Sequence, residues 1–341
     1  MQHIFLKLRQ TADDAHYSKH LQGSHTHELP FMFTIPDRPL PPICGQLEHL
    51  HGFFPPTLGD PLSTSRGRPV DDMMSRKGRV SYTVRAGISF IDPRSGSRKC
   101  SFVTAFRDIR IIPASEEPSG DNHPSSRYAA QTESVIKQGP FGSILGTLNI
   151  ASTHPGPIQY SFSDCITRDT PSPNTMLHLL FRPSGEDSLP PRICSLRTKL
   201  VAHTSLSTAR TPEEHPCQCR SIDQRTPPSQ PLLHTETVPL SDLKLAPIQW
   251  TEHDKHLSSQ DSSPSETEIS STPPPGNRPY YTTTIVVPFT LPETKSFVPS
   301  FSSCLISRSY SLDVTFFYHS GGGVCLTKRG GSLRVPLRVK S

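Results

Sequence analysis

Two histidine pairs at i, i+2 spacing are the residues of this 341-residue chain best suited to metal chemistry. His25 and His27 precede Glu28, and His49 and His51 follow Glu48. On a strand, that spacing puts both imidazoles on one side, as some metal sites require. A metal-dependent hydrolase built on them is one reading. Surface-loop histidines, in a chain that has 16 of them, are the ordinary one, and no metal is expected. HPCQC supplies His215, Cys217 and Cys219, but a zinc site needs a fourth ligand and no second cysteine pair lies nearby.

Other constellations fall short of a mechanism. GPFGSILG (139–146) has the glycines of a phosphate loop without the Lys-Ser/Thr that grips phosphate, so no cofactor is expected. No G-x-S-x-G elbow is present, and no Ser, His and acid grouping supplies a nucleophile. Asp71 and Asp72 could pass for paired catalytic carboxylates. Adjacent acids in a turn before a strand are more often solvated or capping groups. The chain is therefore expected not to be an enzyme.

The elements that would position these residues read as strands. In RVSYTVRAGISF (79–90), Val80, Tyr82, Val84, Ala86, Ile88 and Phe90 alternate with polar residues and glycine, the period of a half-buried antiparallel strand. HIFLKLRQ (3–10), LPFMFTIP (29–36) and CSFVTAFRDIRIIP (100–113) complete a first group, and DPRSGSRK supplies a hairpin turn. Residues 114–139 are polar and read as a linker, with a short helix over YAAQTESVIKQ stopped by Gly139. A second group runs through SILGTLNIAS, NTMLHLLF, RICSLRTKLVA, ETVPLSDLKLAPIQW, YTTTIVVPF, RSYSLDVTFFY and SLRVPLRVK. Within it, a Ser/Pro/acid-rich stretch at about 252–279 has almost nothing to bury and is expected to be a disordered insertion.

Composition agrees with many strands and turns. Only 33% of the residues are hydrophobic and 37 are proline, which lacks the N–H that a ladder or helix interior needs. No run approaches the roughly 18 to 20 apolar residues of a membrane span, and no leader is evident, so a soluble, cytoplasmic chain is expected. Its eight cysteines are expected to be reduced. A net charge of +5 excludes little, and no nucleic-acid partner is expected. The fold class is all-β, with two sandwiches: 1–113 and 140–341 on either side of the 114–139 linker.

Several collinear segments resemble fungal arrestin-like proteins of the alpha-arrestin type. HELPFMFTIPDRPLPPIC (27–44), FFPPTLGDP (53–61), PVDDMMSRKGRVSYTVRAGI (69–88) and RDIRIIPASEE (107–117) are similar to the family's N-terminal domain. TETVPLSDLKLAPIQW (235–250) and YYTTTIVVPFTLPETKSFVPSFSSCLISRSYSLDVTFFYHS (280–320) are similar to its C-terminal domain. The resemblance implies two immunoglobulin-like sandwiches. It also implies strands ahead of the one HIFLKLRQ matches, so the first sandwich is expected to be truncated.

Functionally, the resemblance implies an adaptor that binds cytoplasmic tails of membrane proteins and links them to ubiquitination and endocytosis, with at most peripheral contact with plasma membrane or endosomes. The family's usual second partner is a HECT-type ubiquitin ligase held through Pro-Pro-x-Tyr. Here TPPPGNRPYYT (272–282) puts the tyrosines too far from the proline pair. The alternative is a structural or scaffolding β-sandwich without trafficking activity.

Candidate protein-binding residues are Phe31, Phe33, Arg38, Leu40, Pro41, Phe301 and Leu305, within the regions 31–44, 53–61 and 297–310. PDRPLPPIC (36–44) has the proline spacing of a polyproline II ligand with Arg38 as orienting charge, although a rigid crossover after a strand accounts for it more simply. Lys328, Arg329, Arg334, Arg338 and Lys340 form a basic C-terminal run that could attract anionic lipid, or serve as solvated strand faces.

Overall fold

The computed structural model describes residues 4, 6–9, 30–36, 54–59, 64–65, 68–69, 71–75, 78–91, 98–113, 128–137, 143–159, 173–206, 232–253, 279–303, 305–319 and 329–340. Among these every regular element is a strand. In chain order they are β1 (Thr64–Ser65), β2 (Arg68–Pro69), β3 (Tyr82–Ile91), β4 (Arg98–Ile109), β5 (Ala130–Lys137), β6 (Ile144–Ser152), β7 (Ile158–Gln159) and β8 (Asn174–Pro183). There follow β9 (Arg192–Leu206), β10 (Leu232–Lys244), β11 (Thr251–His253), β12 (Tyr280–Pro288), β13 (Phe301–Ser302), β14 (Ile306–His319), β15 (Arg329–Leu337) and β16 (Val339–Lys340).

Two five-stranded antiparallel sheets form the larger layer pair. One has the order β10-β9-β14-β13 with β15 also on β14; the other has the order β11-β12-β8-β6-β5. Their facing residues make one core: Leu196, Leu200, Leu312, Val314 and Phe316 from the first sheet meet Leu148, Ile150, Leu177, Phe181 and Val287 from the second. The cause is the period of two. Along β14, Ile306, Arg308, Tyr310, Leu312, Val314, Phe316 and Tyr318 are all buried at alternate positions. Truncating a wholly buried leucine here, such as Leu200, removes roughly 3 kcal/mol by the usual transfer and cavity costs.

A smaller core lies at one end of this pair of sheets. Leu58, Val80 and Tyr82 pack with Val298 and Ile306, and Leu6, Met74, Ile111, Leu206 and Phe301 lie against them. Leu58 and Val80 exchange backbone hydrogen bonds of 3.0 and 2.7 Å. The antiparallel ladder of β3 and β4 extends away from this point, from Tyr82 opposite Ile109 to Ile91 opposite Arg98. Its alternation buries Val80 and Tyr82, but Ala86 is exposed, as is Phe106 opposite Arg85.

The sequence misplaces three elements. The helix expected over 128–138 is strand β5, whose exposure alternates from Ala130 to Val135 and whose ladder on β6 runs from Ala130 opposite Ser152 to Lys137 opposite Ile144. Thr132, Val135 and Ile136 are β-branched and favour that state. The strands expected at 3–10 and 29–36 carry no ladder among their described residues, 4, 6–9 and 30–36. Alternation alone cannot supply a pairing partner.

Thr251–His253 form β11 and pair with Thr282–Tyr280, so Glu252 and His253 belong to the sheet. Residues 254–278 and most of the expected linker, 114–127, lie outside the described residues. Among the described residues, no helix is long and apolar enough to cross a membrane.

Candidate functional site

Among the described residues, a polar assembly lies where residues 54–59 and 71–75 meet residues 295–310. It is built around the turn Asp71–Met74. Each aspartate closes a local turn: Asp71 Oδ1 accepts from Met73 N–H at 2.9 Å, and Asp72 Oδ1 from Met74 N–H at 3.2 Å. Asp72 Oδ2 also accepts from Gly59 N–H at 2.5 Å. Gly59 has φ +74°, and a Cβ there would come within 2.6 Å of the Gly78 carbonyl oxygen. Only glycine fits this approach.

Met73 adopts φ +59° and is wholly buried, an uncommon backbone for a residue with a Cβ. The turn is held from outside by Arg308 of β14. Its two terminal nitrogens donate to the carbonyl oxygens of Met73 at 3.1 Å and of Asp72 at 2.8 Å. Arg308 is 1% exposed, lies 5.7 Å from the Tyr310 ring centroid, and makes no ion pair among the described residues. Burial pushes the Asp72 carboxyl above its ordinary range, and the Gly59 N–H and the Arg308 charge only partly offset this.

A second fastening involves Lys295, whose Nζ lies 2.6 Å from Asp71 Oδ2 and 2.5 Å from Glu236 Oε1. Burial alone would lower the Lys295 ammonium pKa, but the hydrogen bonds and charges of the two carboxylates outweigh it and raise it. For Asp71, burial acts upward and is outweighed by the Lys295 and Met73 hydrogen bonds, so its carboxyl lies below the ordinary range. Ser296 N–H donates to the Asp71 carbonyl at 2.9 Å, and Arg110 reaches Ser296 Oγ at 3.1 Å. Tyr82 Oη donates to the Pro55 carbonyl at 2.6 Å, and burial raises the pKa of its phenol.

Chemically this arrangement holds segments together. Both aspartates are engaged by N–H groups or by Lys295. Capping is thus the role of Asp71 and Asp72. Of the two expected roles, solvated or capping, both aspartates show the second, and Asp72 does so while only 9% exposed.

Four of the seven candidate contact residues are described. Phe31 is 63% and Phe33 36% exposed, with ring centroids 5.8 Å apart. Phe301 begins β13 and packs against the smaller core; Leu305, half-buried, precedes β14. Arg38, Leu40 and Pro41 lie outside the described residues, as do His25, His27, His49, His51, His215, Cys217 and Cys219. Among the described residues no group of three or more His, Cys, Asp or Glu is placed to hold a metal ion. In the basic C-terminal run, Arg334 is paired: its Nε and Nη2 donate to the two carboxylate oxygens of Asp313 at 2.7 and 2.9 Å.

Sequence reasoning missed Arg308, Lys295 and Glu236. A signal existed for Arg308, which falls at the inward parity of the β14 alternation, where a charged residue requires a buried partner. For Lys295 and Glu236 no local pattern marks the contact. Compared with known proteins, the chain matches no protein-family model and no curated protein.

Proposed function

We propose that this chain is a non-enzymatic arrestin-like adaptor that holds cytoplasmic segments of membrane proteins and links them to ubiquitination and endocytic trafficking. One observation carries the reading. The segments with the resemblance, 53–61, 69–88 and 280–320, converge on one joint, through Gly59 to Asp72 and Arg308 to Asp72 and Met73. Sites that change no covalent bond need stable surfaces, and antiparallel strands with free edges offer extended segments a place to pair. The immunoglobulin-like connection of the strands and a cytoplasmic location belong to the same proposal.

The test is to immobilise the full chain and present it with detergent-solubilised membranes. Saturable retention of membrane transporters through their cytoplasmic segments, together with a HECT-type ligase, is the expected result. Retention of neither overturns the proposal. Because the Pro-Pro-x-Tyr spacing is absent from 272–282, short peptides of that stretch are expected not to bind the ligase.

A further inference from the structure

Among the described residues, three neighbours across β10, β9 and β14 each carry a buried polar atom with no hydrogen-bond partner: His234 Nε2, Thr204 Oγ1 and Arg308 Nε. They form one row, since His234 is in register with Thr204, and Thr204 with Arg308. Thr204 is 0% and Arg308 1% exposed. A single orphaned atom is an ordinary irregularity. Three in one cross-strand row share a cause, because buried polar groups otherwise find partners.

We infer that this row is a binding site for one ordered water molecule, which accepts from Arg308 Nε–H and is shared with Thr204 Oγ1 and His234 Nε2, making the joint at Asp71–Met74 a hydrated one. Three polar partners fall within the two to four that a buried water uses. Arg308 Nε is a donor only, whereas the hydroxyl and the imidazole nitrogen can each donate or accept, so water satisfies all three at once. A small anion would suit three donors equally well, but the charges decide against it. Among the described residues, the ionised groups of the joint are Arg308, Lys295 and Arg110 against Asp71, Asp72 and Glu236. That balance is already even, and an anion would add a buried charge without a counterpart.

Thr204→Val tests this in the full chain, because the replacement keeps the shape and removes only the hydroxyl. A water that loses one of its partners weakens the fold, and the unfolding equilibrium constant measured in urea is expected to rise about fivefold. His234→Leu is expected to act in the same direction, with the double variant falling short of the product of the two because they share one molecule. An unchanged or lowered constant for Thr204→Val overturns the inference, since removing an orphaned hydroxyl from a dry site relieves a cost. A crystal structure of the unaltered chain gives a second measurement. A density peak within hydrogen-bond distance of the three atoms is expected, and an anomalous bromide peak there after soaking would overturn water in favour of an anion.

Discussion

Arg308 binds Met73 across 235 positions of sequence, donating to its carbonyl oxygen from a fully buried guanidinium. The contact joins the strand richest in core residues to a turn that has no ladder of its own. A charge in that position stabilises the fold only through its acceptors. Replacing Arg308 by Met preserves much of the volume but leaves the carbonyls of Asp72 and Met73 short of a donor. Arg308→Met is therefore expected to lower stability by about 3 kcal/mol, and Arg308→Lys by nearly as much, because an ammonium cannot serve both carbonyls from one fork. Urea unfolding of the three proteins side by side checks this.

The ion pairs of Lys295 predict an alkaline difference. Its ammonium has a folded-state pKa above the ordinary 10.5, so its contribution is fully present below 10.5 and is lost as pH rises through the folded value. Asp71 has the opposite sign of shift: its contribution is present above 3.8 and lost as pH falls through a value below that. Lys295→Met is expected to cost about 0.5–1 kcal/mol at neutral pH, given the partial exposure of the partners. The difference from the unaltered chain should vanish in strongly alkaline buffer. Tyr82, whose raised phenol pKa adds its own alkaline loss, is present in both proteins and cancels. Urea midpoints compared from neutral to strongly alkaline pH would refute the assignment if the difference persisted unchanged.

Gly59 and Gly87 make a matched pair. Alanine at Gly59 meets the Gly78 carbonyl and takes a left-handed backbone, with an expected loss of about 2 kcal/mol. Around Gly87 nothing lies within 4 Å of an added Cβ, and its φ is not in the left-handed region, so Gly87→Ala is expected to be neutral or slightly stabilising. Thermal unfolding should separate the two clearly.

Tyr310 Oη donates to the Val298 carbonyl at 3.0 Å and accepts from Val298 N–H at 3.3 Å. Tyr310→Phe keeps the ring packed against Phe297 but removes both bonds, and is expected to cost about 1–2 kcal/mol. Hydrogen exchange at Val298 provides the local readout: its amide should lose protection in the variant.

Much of the larger sheet pair was legible because its strands alternate over long stretches. ILGTLNIAS, NTMLHLLF, RICSLRTKLVA and RSYSLDVTFFY lie within β6, β8, β9 and β14, and along β14 the apolar parity meets the opposite sheet. Short segments were less legible. HIFLKLRQ has the right rhythm, yet its Leu6 packs against the smaller core without a ladder, and YAAQTESVIKQ pairs as a strand because β6 offers it an edge. The joint was hardest to foresee. Asp72 looks like any turn aspartate until Arg308 and Gly59 are brought to it, and burial created by residues distant in the chain leaves no mark on its neighbours. Only the charge at Arg308, in phase with Tyr310 and Leu312, announced that something polar must lie opposite.

The small core of Leu58, Val80 and Tyr82 is roofed by Val298 and Ile306, so neither half of the chain owns it. Separately expressed fragments divided anywhere between Ile109 and Ala130 would each display raw apolar surface that the intact molecule hides. Stickiness in such fragments would therefore report the cut itself, and partner mapping must rely on point substitutions in the undivided polypeptide.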